Sequence, residues 1–159
     1  MNIFVLDKDP RQAAEDACDK LVVKMVLETA QLLCSVFPQG EAPYRRTHYN
    51  HPCSVWTREA MGNYHWLIEH GLALANEYRY RYGKTHKSEE VIRWCDTNWH
   101  RASIPHDDRT PFAQAMPEQY RQYDAVEAYR AYYLGSKSRF AQWSKTRPAP
   151  YWWTNSTLP

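Results

Sequence analysis

A glutamate in the middle of a helical stretch is the best candidate for acid–base chemistry in this sequence. Glu28 lies at the polar edge of the stretch, and Lys24 and Gln31 come round to the same side of a helix at spacings of four and three residues. A carboxylate there can be partly withdrawn from water and still reach a cleft, which suits proton transfer or stabilisation of a cation. A solvated Lys24–Glu28 ion pair would give the same spacing, so both interpretations stay open.

Basic residues form clusters at positions 45–46, 79–87 and 139–147. In the second cluster they alternate with tyrosines, and the two kinds of side chain together can bind phosphates and stack on bases. The net charge is only +2, so the total does not identify a nucleic-acid partner, and a solvated basic face would carry the same clusters. The candidates for binding DNA or a nucleotide, besides Lys24 and Gln31, are Arg45, Arg46, His51, Arg79, Arg81 and Lys84.

Motifs of several other enzyme classes are missing from the sequence. It contains no GxGxxG, P-loop, HExxH or GxSxG, so nucleotide-cofactor and zinc-protease chemistry have no support. His65 and His70 lie five residues apart, a spacing that does not place two ligands on one helical face. We therefore expect no metal and no organic cofactor. The proline-bounded loop at 110–117 fits either the wall of a pocket or a cover over the core.

The four cysteines and the absence of long apolar runs bear on cellular location. The cysteines are scattered without a CxxC pair, which favours reduced, mostly buried thiols over a zinc ribbon or a redox motif. No apolar run approaches the ~20 residues that cross a membrane. The first residues lack the basic and apolar regions of a signal peptide. These features predict a cytoplasmic protein.

The periodicity of apolar residues predicts an all-α fold in a single domain spanning 1–159. A chain of 159 residues has the commonest size for one domain, and apolar residues recur at three, four or seven positions through its long stretches. Ser88 is predicted to cap the third helix, Gly83 to end the second and Asp124 to cap the last. The predicted helices run from about 10 to 36, from 52 or 54 to 82, from 88 to 99 and from 124 to 143 or 144.

Both ends of the chain are distinctive. Residues 2–6 form a short apolar run that Asp7 and Pro10 end, which predicts an extended arm laid against the domain. The other end carries an aromatic tail at 151–153 in a chain that is 14% aromatic. Surplus rings can stack on bases, so Trp152 is a further candidate for substrate binding.

The start 1–6 and the helical segment 22–31 resemble the pyrimidine-dimer DNA glycosylases of phages and bacteria, the bacteriophage endonuclease V type. The helix that begins near His51, its Arg-Tyr-Gly end and the aromatic C-terminus are also similar. The segments 51–52, 81–84, 110–117 and 128–130 further resemble a group of phage proteins classed with that family. The chain differs at Leu27, where the family has an arginine, and at Leu21, where a histidine is common.

The resemblance implies a glycosylase and lyase that uses an α-amine as nucleophile. The amine attacks the sugar C1′ of a damaged nucleotide and forms a Schiff base, and the helical glutamate stabilises the cationic sugar. Here these roles fall on Met1, which the bulky Asn2 should protect from removal, and on Glu28. α-Amines have an ordinary pKa of about 7.7–8.0 and can thus be unprotonated near neutral pH, unlike lysines. The alternative is a non-catalytic phage factor that binds a nucleotide or a protein, for example against a host defence.

Overall fold

The computed structural model describes the backbone of residues 1–156 and the side chains of residues 1–153. The described chain contains α-helices and two short 3-10 turns but no β-strand, which confirms the predicted all-α fold. None of its helices combines the length and the apolar character needed to cross a membrane. The helices are α1 (Pro10–Asp16), α2 (Asp19–Cys34), α3 (Pro52–Glu59), α4 (Met61–Tyr82), α5 (Glu89–Thr97), α6 (Ala125–Ser136) and α7 (Tyr151–Ser156).

The predicted helix over 10–36 is two helices, α1 and α2, because the backbone turns out of helical geometry at Ala17 and Cys18. Ala17 has φ −68° and ψ 134°. Side chains that are distant in sequence form hydrogen bonds with the backbone groups at this break. The Cys18 N–H donates to the Tyr133 hydroxyl (3.2 Å), and Arg81 donates to the Ala17 carbonyl (2.6 Å). These contacts replace intrahelical hydrogen bonds, and apolar spacing does not reveal them.

The second predicted helix is likewise divided, into α3 and α4, at Ala60. This residue is extended, with φ −148° and ψ 147°. The N–H groups of Met61 and Gly62 then donate to backbone carbonyls of the 100–117 segment, both at 2.8 Å. A Cβ at Gly62 would lie 2.5 Å from the Arg109 nitrogen, so this close crossing requires glycine.

The remaining elements follow the predictions in part. Gly83 ends α4 in a left-handed conformation (φ 71°), and Asp124 caps α6, as expected. Ser88 lies before α5 but does not cap it, because its hydroxyl bonds the Tyr44 hydroxyl instead. The last long helix, α6, ends at Ser136 rather than at 143 or 144, since the following segment bonds α2: the Asp19 N–H donates to the Gln142 carbonyl at 2.8 Å.

The core forms around α4, which packs against α1, α2, α3 and α5. Residues 3–6 of the arm are buried and form no strand pairing, but they are not extended throughout as predicted, because the chain turns at Phe4, whose carbonyl accepts from the Leu6 N–H at 2.8 Å. The Phe4 ring packs against the rings of Tyr129 and Tyr133 in α6, with centroids 6.1 and 5.6 Å away. All four cysteines are buried and unbridged, as predicted. The first residues of the chain are therefore part of the core.

Candidate active site at the amino terminus

The amino terminus lies directly against the candidate glutamate. The Met1 amine is 3.5 Å from Glu28 Oε1, and Lys24 Nζ is 3.6 Å from Glu28 Oε2. The Glu28 side chain is 12% exposed, whereas that of Lys24 is 66% exposed. The carboxylate thus binds the chain's amine on one side and a solvated lysine on the other, at a place that water and a small group can still reach.

A hydrogen-bonded turn holds the arm in this position. Asn2 is buried, and its Oδ1 accepts from the N–H groups of Ile3 (2.8 Å) and Phe4 (3.0 Å). Its Nδ2 donates to the Ala115 carbonyl at 2.8 Å. Phe4 adopts the left-handed φ of 38°, which is costly for a residue with a large side chain. The surrounding contacts keep the chain in this strained turn, and the turn directs the amine toward α2.

His51 belongs to the same neighbourhood. It precedes α3, and its Nδ1 accepts a hydrogen bond from the Cys53 N–H at 3.0 Å, so the neutral ring carries its proton on Nε2. Burial lowers the pKa of His51, and the positive charges of the Met1 amine and His48 lower it further, while Glu28 acts in the opposite direction. At neutral pH His51 is therefore an uncharged hydrogen-bond donor near the amine.

A polar cavity of about 450 Å³ begins one helical turn beyond Glu28. Gln31, Arg45 and Arg46 line it, and so do Tyr44 and Thr47. Because residues three apart share a helical face, Gln31 connects this cavity to the Glu28 side of α2. Arg46 donates to the Phe37 carbonyl (3.1 Å), so its position is set by the protein. The structure thus gathers six of the predicted residues, from Met1 to Arg46, along the 24–31 part of α2, with His51 beside them.

Arg81, in contrast, is fully buried, which contradicts its predicted contact with phosphate. Its guanidinium contacts Glu77 Oε1 (2.9 Å) and Asp19 Oδ1 (3.1 Å) and donates to the carbonyl of Ala17. Glu77 also binds Arg147, at 2.8 Å. A charge withdrawn from water must be paired and hydrogen-bonded, and Arg81 satisfies that need within the core. The alternating sequence around it placed successive residues on different sides of α4.

Trp152 is also buried, which contradicts its predicted role in stacking on a base. Its Nε1 donates to Asp16 Oδ2 at 3.1 Å, and its ring packs against Tyr133 with the centroids 6.0 Å apart. Burial raises the pKa of Asp16, although its hydrogen bonds with Gln12 and Trp152 oppose that effect. The aromatic tail therefore closes the core over α1 and α6.

Arg79 and Lys84 are exposed around the end of α4, away from the hydrogen bonds of the amino-terminal site. Arg79 binds Asn76 and forms a short ion pair with Glu89. Lys84 is exposed in the turn after Gly83. A role for either residue in binding phosphate stays a prediction.

The sequence did not indicate two residues next to this site, Asn2 and Lys137, whose Nζ lies 5.6 Å from the ring centroid of Phe4 in the arm. Asn2 had a weak signal, since asparagine commonly bonds the backbone two residues ahead. Lys137 had none, because it follows the end of α6, more than 100 residues after Glu28. The 110–117 loop fits both predicted interpretations: Phe112 packs on Trp56 at a centroid distance of 5.5 Å, and the loop also lines pockets at the surface. Its Ala115 anchors Asn2.

Within the described chain, no three histidine, cysteine, aspartate or glutamate side chains are grouped so that they could hold a metal ion. Comparisons of the sequence and the structure with known proteins matched no family model, no curated protein and no solved structure. A functional proposal therefore rests on the geometry around Met1 and Glu28 and on the resemblance in the sequence.

Proposed function

We propose that the protein is a DNA glycosylase and lyase that acts on damaged or modified pyrimidines, with the Met1 amine as nucleophile. The observation that carries the proposal is the 3.5 Å contact between this amine and the sheltered carboxylate of Glu28. An amine nucleophile needs a partner that accepts its proton and then stabilises the cation formed on it. The position of Glu28 beside the amine supports both roles.

The proposed reaction proceeds through a Schiff base. The amine, once it has given up a proton, attacks C1′ of the deoxyribose with its lone pair, and the bond from C1′ to the base breaks, so that the base leaves with the electron pair and gains a proton. Transfer of the second amine proton to O4′ and opening of the C1′–O4′ bond, whose electron pair stays on O4′, give an iminium ion and a 4′-hydroxyl group. Removal of a C2′ proton then expels the 3′ phosphate and cleaves the strand. Each cationic species forms beside Glu28, which favours it electrostatically.

The fixed arm supports the proposal because catalysis needs an oriented nucleophile. Asn2 holds the first residues through three hydrogen bonds, and the Met1 side chain is only 4% exposed. An amine held in this way loses little freedom when the substrate arrives, and such orientation can account for several kcal/mol of a reaction barrier, up to about 7–11 kcal/mol in well-oriented models.

Borohydride trapping on an oligonucleotide with an abasic site tests the proposal, since the exposed aldehyde reacts with any correctly placed amine. We expect a covalent adduct that peptide mapping assigns to Met1, after mass spectrometry has shown that the purified chain begins there. The matched control carries two extra residues before Met1, which move the free amine by up to about 7 Å.

The alternative proposal is a non-catalytic nucleotide-binding protein, and the polar cavity lined by Gln31, Arg45 and Arg46 favours it. In that case the Met1–Glu28 pair would only anchor the arm. The oligonucleotide would then bind without an adduct on Met1. The protein with two extra residues before Met1 would bind the oligonucleotide, and behave under borohydride, as the original chain does. That result would refute the enzyme proposal.

A further inference from the structure

Three lysines lie along α2 and at the end of α6 on the side of the amino-terminal site, and two of them were not predicted to bind substrate. Lys20 and Lys24 lie one turn apart on α2, and Lys137 follows the end of α6. The Phe140 ring lies between the two helices: Lys20 Nζ is 4.9 Å and Lys137 Nζ is 6.0 Å from its centroid. We call Lys20, Lys24 and Lys137 the lysine group.

Aromatic rings hold Lys137 in place. Its Nζ lies 5.1 Å from the ring centroid of Tyr132 and 5.6 Å from that of Phe4. These two rings are stacked, with an interplanar angle of 14°. Phe4 belongs to the arm that carries Met1, so one short segment positions both the amine and this lysine. Ring faces attract a cation but do not neutralise it.

The positive charges around the amine exceed the negative ones. The amine and the lysine group supply four cations, and Glu28 is the one carboxylate within ion-pair distance of any of them in the described chain. Burial lowers the pKa of Lys137, and the charge of Lys24 lowers it further, while Glu28 opposes both effects. A half-buried ammonium with a like charge nearby is costly unless an anion compensates for it.

We propose that Lys24 and Lys137, with Lys20 at the outer side, bind a phosphate of the substrate nucleotide. The choice of a nucleotide rests on the proposed function, whereas the charge arrangement itself indicates an anion. In a nucleotide the 5′ and 3′ phosphates are attached to the sugar whose C1′ would face Met1. A phosphate beside that sugar therefore lies close to the amine, where the lysine group provides its counter-charges.

Binding of a fluorescent oligonucleotide with an abasic site, measured by anisotropy over a series of KCl concentrations, tests the proposal. Lys137→Met keeps most of the apolar stem that packs on Phe4 and Tyr132. We expect it to weaken binding about tenfold at low salt, or about 1.4 kcal/mol, and to reduce the log–log salt slope by about 0.7 on a single strand. Lys137→Arg should keep the slope, and Lys8→Met is the control at an exposed lysine outside the group.

Competition then identifies the source of the phosphate. Displacement by a nucleoside monophosphate, but not by the nucleoside, would show that free nucleotides use the subsite; binding confined to oligonucleotides would show that it takes a phosphodiester. An unchanged slope in a folded Lys137→Met protein would overturn the phosphate subsite, even where borohydride trapping on Met1 succeeds. A reduced slope without any trapping would refute the proposed enzyme and leave the subsite standing. An adduct that maps to Lys137 would also overturn the phosphate subsite, because that lysine would then be a nucleophile.

Discussion

Replacing Glu28 by glutamine removes the charge on which the proposed mechanism depends and changes the shape of the side chain very little. The carboxylate lies 3.5 Å from the amine nitrogen, and that same atom becomes the iminium nitrogen of the Schiff base. The distance relevant to the cationic intermediate can therefore be taken from the resting protein. Because the Glu28 side chain is only 12% exposed, an effective dielectric constant of about 20 is appropriate.

Two unit charges at this separation attract each other by about 5 kcal/mol at that dielectric constant. The neutral amine that begins the reaction gains none of this energy, whereas the cationic transition state gains much of it. Solvent at the open side of the carboxylate and the neighbouring Lys24 charge reduce the effect. We therefore expect Glu28→Gln to slow the reaction by about 10²- to 10³-fold, a loss of about 3–4 kcal/mol.

The assay is single-turnover cleavage of an oligonucleotide with an abasic site, with binding measured separately by anisotropy. It should be run about one pH unit above the ordinary pKa of α-amines, about 7.7–8.0, so that a change in amine protonation does not hide the effect. Glu28→Asp, which keeps the charge but withdraws it by one methylene, should be intermediate, and Glu90→Gln is a control at an exposed carboxylate. Equal cleavage rates for Glu28→Gln and the original protein would refute the electrostatic role.

Three further predictions concern the elements that hold the site. Asn2→Leu keeps a bulky second residue, so Met1 should be retained, but it removes the hydrogen bonds of the arm. We expect kcat to fall about tenfold or more with little change in DNA affinity, and Asn2→Asp to restore part of kcat. Equal losses in kcat and in DNA affinity would argue against a positioning role for Asn2. Arg81→Met should lower the free energy of unfolding, measured in urea, by about 3–5 kcal/mol, whereas Arg79→Met should lower it by about 1 kcal/mol or less. Similar urea midpoints for the two variants would show that Arg81 is not a buried structural charge. Burial lowers the pKa of His70 to about 4, below its ordinary 6.5, so the unfolded chain takes up the proton first on acidification. Through this group the free energy of unfolding should fall by about 2 kcal/mol between pH 7 and pH 5. The His70→Gln variant should lose this part of the pH dependence.

The sequence predicted the helices better than their ends. Apolar spacing correctly indicated helical structure across 10–36 and 52–82, because the buried stripe continues through both breaks. The breaks at Ala17 and Ala60 arise from backbone groups that bond to Arg81, Tyr133 and the 100–117 segment. Such partners are distant in sequence, and local patterns carry no information about them.

The candidate site was also predictable only where its residues depend on local sequence. Glu28 could be selected because its polar edge is a local property of one helix. Arg81 has the same local appearance as an exposed arginine, and only the positions of Asp19 and Glu77 reveal that it is buried. Lys137 joins the site through the packing of α6 against the arm, which no spacing in the sequence predicts.

The burial of the arm also bears on how the protein reaches its native state during synthesis. Residues 3–6 leave the ribosome long before α6, yet Phe4 packs against three tyrosines of that helix. The Cys18 backbone likewise bonds Tyr133, 115 positions away. Contacts so distant in sequence form slowly compared with local helices, and until they form the apolar arm is exposed to other nascent chains and to chaperones. We therefore expect the Met1 amine to reach its position against Glu28 only after α6 has packed on the arm.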